Sequence, residues 1–323
     1  DDAFGRSVAT LGDLDGDGIV DIAVGATGDD DGGPGRGAVW ILFLNTDGTV
    51  KSFQKISDTP GGLGGVLADG DIFGNGIASP GDLNGDGTPD LAVGAPNDDD
   101  GGADRGAVWI LFLASNGTVS DQQKISATAG GFTGELDDND ILGGSVTSPG
   151  DIDGDGIKEI VAGAYLDDDG GANRGASWIF FLRNDGTVDR HQKISSSEGN
   201  FTGPLEDNDH FGTDTGSPGD LDNNGVPDLV VGADLDDDGG SQRGAAWVLF
   251  LNSDGTVASH QKISDTEGNF AGTLDDDDVF GFSVAAPGDI DGDGITDIAI
   301  STMDNDGAFQ AGAVWVLFLA EAA

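Results

Sequence analysis

Three observations on the sequence predict an all-β protein, a β-propeller with five four-stranded blades. A pattern of 69 residues recurs along the chain, each copy offers four short runs of β-forming residues between Gly- and Asp-rich turns, and no stretch keeps a 3.6-residue apolar period. A four-stranded unit repeated radially is a blade, and its apolar faces can be covered only by neighbouring blades.

The repeat is read from one segment. GDLDGDGIVDIAVGA begins at Gly12 and returns in altered form at Gly81, Gly150, Gly219 and Gly288, always 69 residues on. Trp40, Trp109, Trp178 and Trp247 keep the same interval, while Trp315 comes one residue early because the loop before it, Met303–Ala311, is shorter. QKIS recurs from Gln54, Gln123, Gln192 and Gln261. A large apolar residue precedes Gly at Phe4, Phe73, Leu142, Phe211 and Phe280. Dividing 323 residues by 69 gives about 4.7 periods. Repeats therefore start near 1, 70, 139, 208 and 277, the last is incomplete, and residues 1–323 are expected to form a single domain.

Within the first copy, a strand is expected around Ser7–Leu11. A second, Asp21–Ala26, alternates in apolar character. The third, Gly37–Leu44, is almost continuously apolar, as in a strand buried on both faces. The turn NTDGT, Asn45–Thr49, leads to a fourth strand at roughly Phe53–Ser57. The Trp of each third strand is read as buried packing between blades.

The loop between the first two strands carries the strongest chemical signal. In the first copy it runs from Asp13 to Asp21, with acids at positions one, three, five and nine: Asp13, Asp15, Asp17 and Asp21. The backbone carbonyl of Ile19, at position seven, can add an oxygen. The equivalents are Asp82, Asn84, Asp86, Thr88 and Asp90 in the second copy, and Asp151, Asp153, Asp155, Ile157 and Glu159 in the third. The fourth has Asp220, Asp222, Asn224, Val226 and Asp228, and the fifth Asp289, Asp291, Asp293, Ile295 and Asp297. Turn formation alone does not require acids at fixed positions in five copies. Such oxygen-rich loops suit calcium, which accepts six to eight oxygens, better than magnesium, which keeps several waters. An EF-hand is excluded, because position twelve is Val24, Val93, Ala162, Val231 or Ile300 rather than Glu. About five calcium ions, one per repeat, are expected. The second and fourth loops, with three charged ligands each, are expected to hold calcium least tightly.

These elements resemble FG-GAP repeats, the blades of the integrin alpha-subunit propeller and of bacterial surface proteins. The resemblance rests on Phe4-Gly5 or Phe280-Gly281, on Gly94-Ala95-Pro96, and on the acidic loop between the two motifs, and it covers the whole chain. It implies a propeller with one calcium per loop on one rim, and a strand before the first Phe-Gly that completes the last blade. A fragment of a larger propeller or array is the alternative to a five-bladed ring.

The chain has 60 acidic and 13 basic residues, a formal charge of −47, and 54 of the acids are Asp. Nucleic-acid binding is excluded, since phosphate recognition needs clustered Lys and Arg. The longest apolar run, Ala313–Ala320, is too short for a membrane helix, and no charged-then-apolar leader opens the chain. With no Cys there is no disulfide or thiol chemistry.

Other acidic stretches recur. Asp29–Asp31, Asp98–Asp100, Asp167–Asp169, Asp236–Asp238, and then Asp304 and Asp306, are either further cation sites or solvated loops paired with Arg. Runs such as Asp275–Asp278 are read as solvated surface. Arg36, Arg105, Arg174 and Arg243 recur once per blade and are expected to bind carboxylates between blades; the fifth copy has Ala311. No Ser/His/Asp set or acid pair breaks the repeat symmetry, so no enzyme activity is expected. The sequence is read as an extracellular, secreted or cell-surface module for adhesion or ligand binding, its partner a surface protein or glycan. The alternatives are a structural subunit that associates through the open edge of the last blade and, third, a propeller-type hydrolase or lyase.

Overall fold

The computed structural model describes residues 2–59, 62–303 and 312–320. These residues form strands, turns and loops and no helix, so no helix is long and apolar enough to cross a membrane. The first sheet is made of β1 (Phe4–Gly12), β2 (Asp21–Ala26), β3 (Ala38–Leu44) and β4 (Val50–Ile56). The second contains β5 (Ile77–Gly81), β6 (Asp90–Ala95), β7 (Ala107–Leu113) and β8 (Val119–Ser126). The third contains β9 (Val146–Gly150), β10 (Glu159–Ala164), β11 (Ala176–Leu182) and β12 (Val188–Ser195). The fourth contains β13 (Phe211–Gly219), β14 (Asp228–Ala233), β15 (Ala245–Leu251) and β16 (Val257–Ile263). The fifth has β17 (Val284–Gly288), β18 (Asp297–Thr302) and β19 (Ala313–Leu317). In every sheet the strands lie in sequence order, the meander of a propeller blade. The protein is an all-β propeller.

The second strands fall where the alternation puts them. The fourth strands start earlier than expected, at Val50 in the first sheet, because the Asn45–Thr49 turn is a closed hairpin: Asn45 N–H donates to the Thr49 carbonyl at 2.8 Å, and pairing resumes at once with Leu44 opposite Val50. β7 and β11 are buried along their whole length. β3 and β19 are not, and their Trp40 and Trp315 stay half-buried while Trp109, Trp178 and Trp247 are buried. The expectation of a buried Trp in every blade thus holds for the middle three. Trp315 sits on β19, which has only β18 beside it among the described residues.

The chain divides into two compact units. One comprises Asp1–Ser148, Ile157–Ala162 and Phe180–His191; the other comprises Pro149–Gly156, Gly163–Ile179 and Gln192–Ala323. In the first, β1 packs against β5, and the core between their sheets includes Leu11, Ile41, Leu91 and Leu111. In the second, β13 packs against β17 over Val230, Val248, Phe280 and Ile298.

Within each unit the blade seam explains the recurring Phe-Gly and Gly-Ala pairs. Phe73 N–H donates to the Arg36 carbonyl of the preceding blade at 3.0 Å, and Phe280 N–H to that of Arg243 at 2.9 Å, burying both rings completely. The Gly after each such Phe, or after Leu142, then meets the penultimate residue, a Gly, of the preceding blade's second strand. A Cβ on Gly25, Gly94 or Gly232 would lie 2.0 Å from the carbonyl oxygen of Gly74, Gly143 or Gly281, respectively. Only a residue without a side chain fits there.

Candidate metal centre

Each acidic loop joins the end of a first strand to the start of a second, and its residues divide the work. Position one organises the turn. Asp13 accepts N–H bonds from Asp17 at 2.9 Å and Gly18 at 2.8 Å, and Asp82, Asp151, Asp220 and Asp289 cap their own loops in the same way. Gly16 and Gly18 take φ of 79° and 87°, left-handed values that let the chain curl around Asp13. Position seven closes on position five: Ile19, Thr88, Val226 and Ile295 donate their N–H groups to the side chains of Asp17, Asp86, Asn224 and Asp293. Ile157 occupies the same place in the third loop.

Position nine is the first residue of each second strand, and Asp21, Asp90, Glu159, Asp228 and Asp297 are all buried. The four Asp are buckles as well as candidate ligands. One oxygen accepts the N–H of position two (Leu14, Leu83, Leu221 or Ile290), and the other that of a residue at or just beyond the end of the third strand (Leu44, Leu113, Leu251 or Leu319), at 2.8–3.1 Å. A carboxylate oxygen has two lone-pair directions, so both duties are compatible. Burial pushes the carboxyls of Asp90 and Asp228 up to about 6 against these N–H bonds.

The loops gather their acids unequally. Asp13, Asp15 and Asp17 each offer an oxygen within 4.8 Å of the others; so do Asp151, Asp153, Asp155 and Glu159, as well as Asp220, Asp222 and Asp228, and Asp289, Asp291 and Asp297. Asp21 and Asp293 fall outside these groups, and Asp82, Asp86 and Asp90 form no such group among the described residues. In the second loop Asn84 donates to Asp86 at 3.0 Å; that bond first, then the Thr88 N–H, holds Asp86 below the usual carboxylate range. In the first loop the Lys51 ammonium sits 2.6 Å from Asp15 and also touches Asp17, and this contact lowers the pKa of Asp17. The donor sets are wholly oxygen and almost wholly anionic, which suits a hard divalent cation.

In the second acidic stretches the middle residues Asp30, Asp99, Asp168 and Asp237 are exposed, as in a solvated loop, while the first residue of each is buried. Asp29, Asp98, Asp167 and Asp236 are buried, and their partner is the lysine of QKIS, not the recurring Arg. Lys124 lies 2.6 Å from Asp98 and 2.8 Å from Asp100; Lys262 lies 2.7 Å from both Asp236 and Asp238. The sheet register places Lys124 opposite Trp109 and Lys262 opposite Trp247, with each ammonium over the indole ring at 5.3 and 5.2 Å. The recurring QKIS was the available signal, but its link to acids 24–26 residues earlier needed the fold. Asp304, Asp306 and Ala311 lie outside the described residues.

The runs before each later Phe-Gly or Leu-Gly are solvated except at their last acid: Asp275–Asp277 are exposed, whereas Asp71, Asp140, Asp209 and Asp278 are buried. The recurring Arg side chains meet these runs from the preceding blade, Arg105 pairing with Asp138 at 2.8 Å and Arg243 with Asp276 at 3.0 Å; Arg243 also pairs with Asp265 of its own blade at 2.8 Å. These pairs are partly exposed, where an ion pair contributes roughly 0–1 kcal/mol.

The FG-GAP repeat model matches residues 4–42, 73–111 and 280–317, each span running from the Phe-Gly or its first strand through the acidic loop into the third strand. The chain carries FG-GAP repeats. Its FG-GAP blades are 32% identical to integrin alpha-5 of Xenopus laevis over 241 residues, covering 72% of this chain and 20% of that protein. They are 35% identical to integrin alpha-PS5 of Drosophila melanogaster over 167 residues, 50% of this chain and 15% of that one. Similarity also extends to phosphatidylinositol-glycan-specific phospholipase D of Bos taurus, at 29% over 179 residues, 53% of this chain and 20% of that protein. The FG-GAP chain thus spans about a fifth or less of the length of these relatives.

Proposed function

We propose that this FG-GAP propeller binds about five calcium ions, one in each loop, and acts outside cells as a non-catalytic adhesion or ligand-binding module for a surface protein or glycan. The observation that carries this reading is the convergence of carboxylate oxygens within 4.8 Å in four of the five repeated loops. Acids held so close repel one another, and a divalent ion offsets that repulsion while tying both strands to the loop. Calcium is abundant outside cells, which supports the extracellular setting, and the likeness to integrin alpha chains supports adhesion. Chelation of the protein is expected to lower its melting temperature markedly, and added calcium to restore it. Equal stability in magnesium, or in no metal at all, would refute the calcium role.

A second reading has one observation in its favour. Among the described residues the fifth sheet has three strands, and Val314, Val316 and Phe318 are exposed along its edge. An unpaired edge is a template for another strand, so the protein would associate into a layer or fibre. Sizing in calcium tests this, and a strict monomer argues against it.

A further inference from the structure

The first acidic loop holds a positive charge supplied by the fourth strand of its own blade. Lys51, near the start of β4, reaches across the blade to the loop that precedes β2, where its ammonium bonds to Asp15 at 2.6 Å and contacts Asp17. The equivalent positions in the other complete blades are Ser120, Asp189 and Ala258, none of which carries a positive charge. Asp15 and Asp17 belong with Asp13 to the group whose oxygens converge within 4.8 Å. The contact is therefore made by two of the three acids that would face an ion in this loop.

We propose that Lys51 is a tethered cation that competes with calcium for the first loop and delays its filling; this rests on the calcium reading above. The ammonium and a divalent ion cannot both take contact distance from the same oxygens of Asp15 and Asp17. Calcium entry must break the two lysine contacts and leave a positive charge beside the new ion. Lys51 also lowers the formal charge of the first loop from −4 (Asp13, Asp15, Asp17, Asp21) to −3, equal to the loops that carry Asn84 or Asn224. The first loop is thus delayed by a residue of β4 and not by its own sequence.

The test is a calcium titration of the full chain, followed by the amide resonances of Gly16 and Gly18 for the first loop and of Gly154 and Gly156 for the third. Displacing two exposed ion pairs and leaving an ammonium near a divalent ion corresponds to a cost of about tenfold in affinity. Lys51→Gln should therefore move the first-loop midpoint to about tenfold lower calcium and leave the third-loop midpoint in place. Lys51→Arg, which keeps the charge, should stay near the parent. Coincident first-loop midpoints in the parent and Lys51→Gln overturn the role of Lys51 while the calcium reading stands. If no loop glycine responds to calcium in either protein, both are overturned.

Discussion

Replacing Lys262 by Met tests whether the buried acid–lysine clusters hold the blades together. Lys262 and Asp236 are both buried, with their charged atoms 2.7 Å apart, and the ammonium also bonds Asp238 and lies over Trp247. Burial pulls the pKa of the Lys262 ammonium down, and Asp236 and Asp238 more than reverse this. The Met side chain keeps most of the apolar stem against Trp247 but leaves the Asp236 carboxylate buried beside no cation. Breaking a buried pair from one side costs about 3–5 kcal/mol, because the remaining charge is uncompensated. Adding Asp236→Asn removes that charge and should recover more than half of the loss. The assay is urea denaturation of the parent, both single variants and the double variant in saturating calcium. A loss below about 1 kcal/mol in Lys262→Met would show that the cluster is solvated and would refute the reasoning.

Three further outcomes are expected. Gly94→Ala would place a Cβ 2.0 Å from the Gly143 carbonyl oxygen, so the seam must open; a loss of about 1–3 kcal/mol is expected from urea midpoints, and an unchanged midpoint would mean that this backbone approach is not needed. Burial pushes the Asp209 carboxyl up to about 7 against the N–H bond from Glu206, so between pH 4 and 7 the folded chain holds a proton that the unfolded chain has released. Stability from this group therefore falls as pH rises through that window, and Asp209→Asn should flatten the decline; parallel pH profiles would contradict this. In a calcium titration the second and fourth loops, with Asn84 and Asn224 among their ligands, should empty before the third and fifth, and equal occupancy at limiting calcium would count against the charge argument.

Much of the fold was legible because it is written locally and five times over. Alternation in Asp21–Ala26 and the apolar run ending at Leu44 give strands directly, since side-chain direction in a strand follows sequence parity. The acidic loops were legible for the same reason, because their ligands lie within nine consecutive residues. What was missed depends on residues far apart. The buckle at Asp21 needs Leu44, and the burial of Asp98 needs Lys124.

The sequence by itself determined the repeat, the order of strands in a blade and the residues able to offer oxygen to a cation, because each is a matter of short-range spacing. Only the tertiary structure decided which positive charge meets which carboxylate. In a chain with 60 acids and 13 basic residues, that choice is made by sheet register: it sets Lys55 and Lys124 beside the loops before their third strands and turns Lys51 toward the first acidic loop. Burial follows from the same pairing, since a carboxylate leaves water only where N–H groups or a cation replace its hydration.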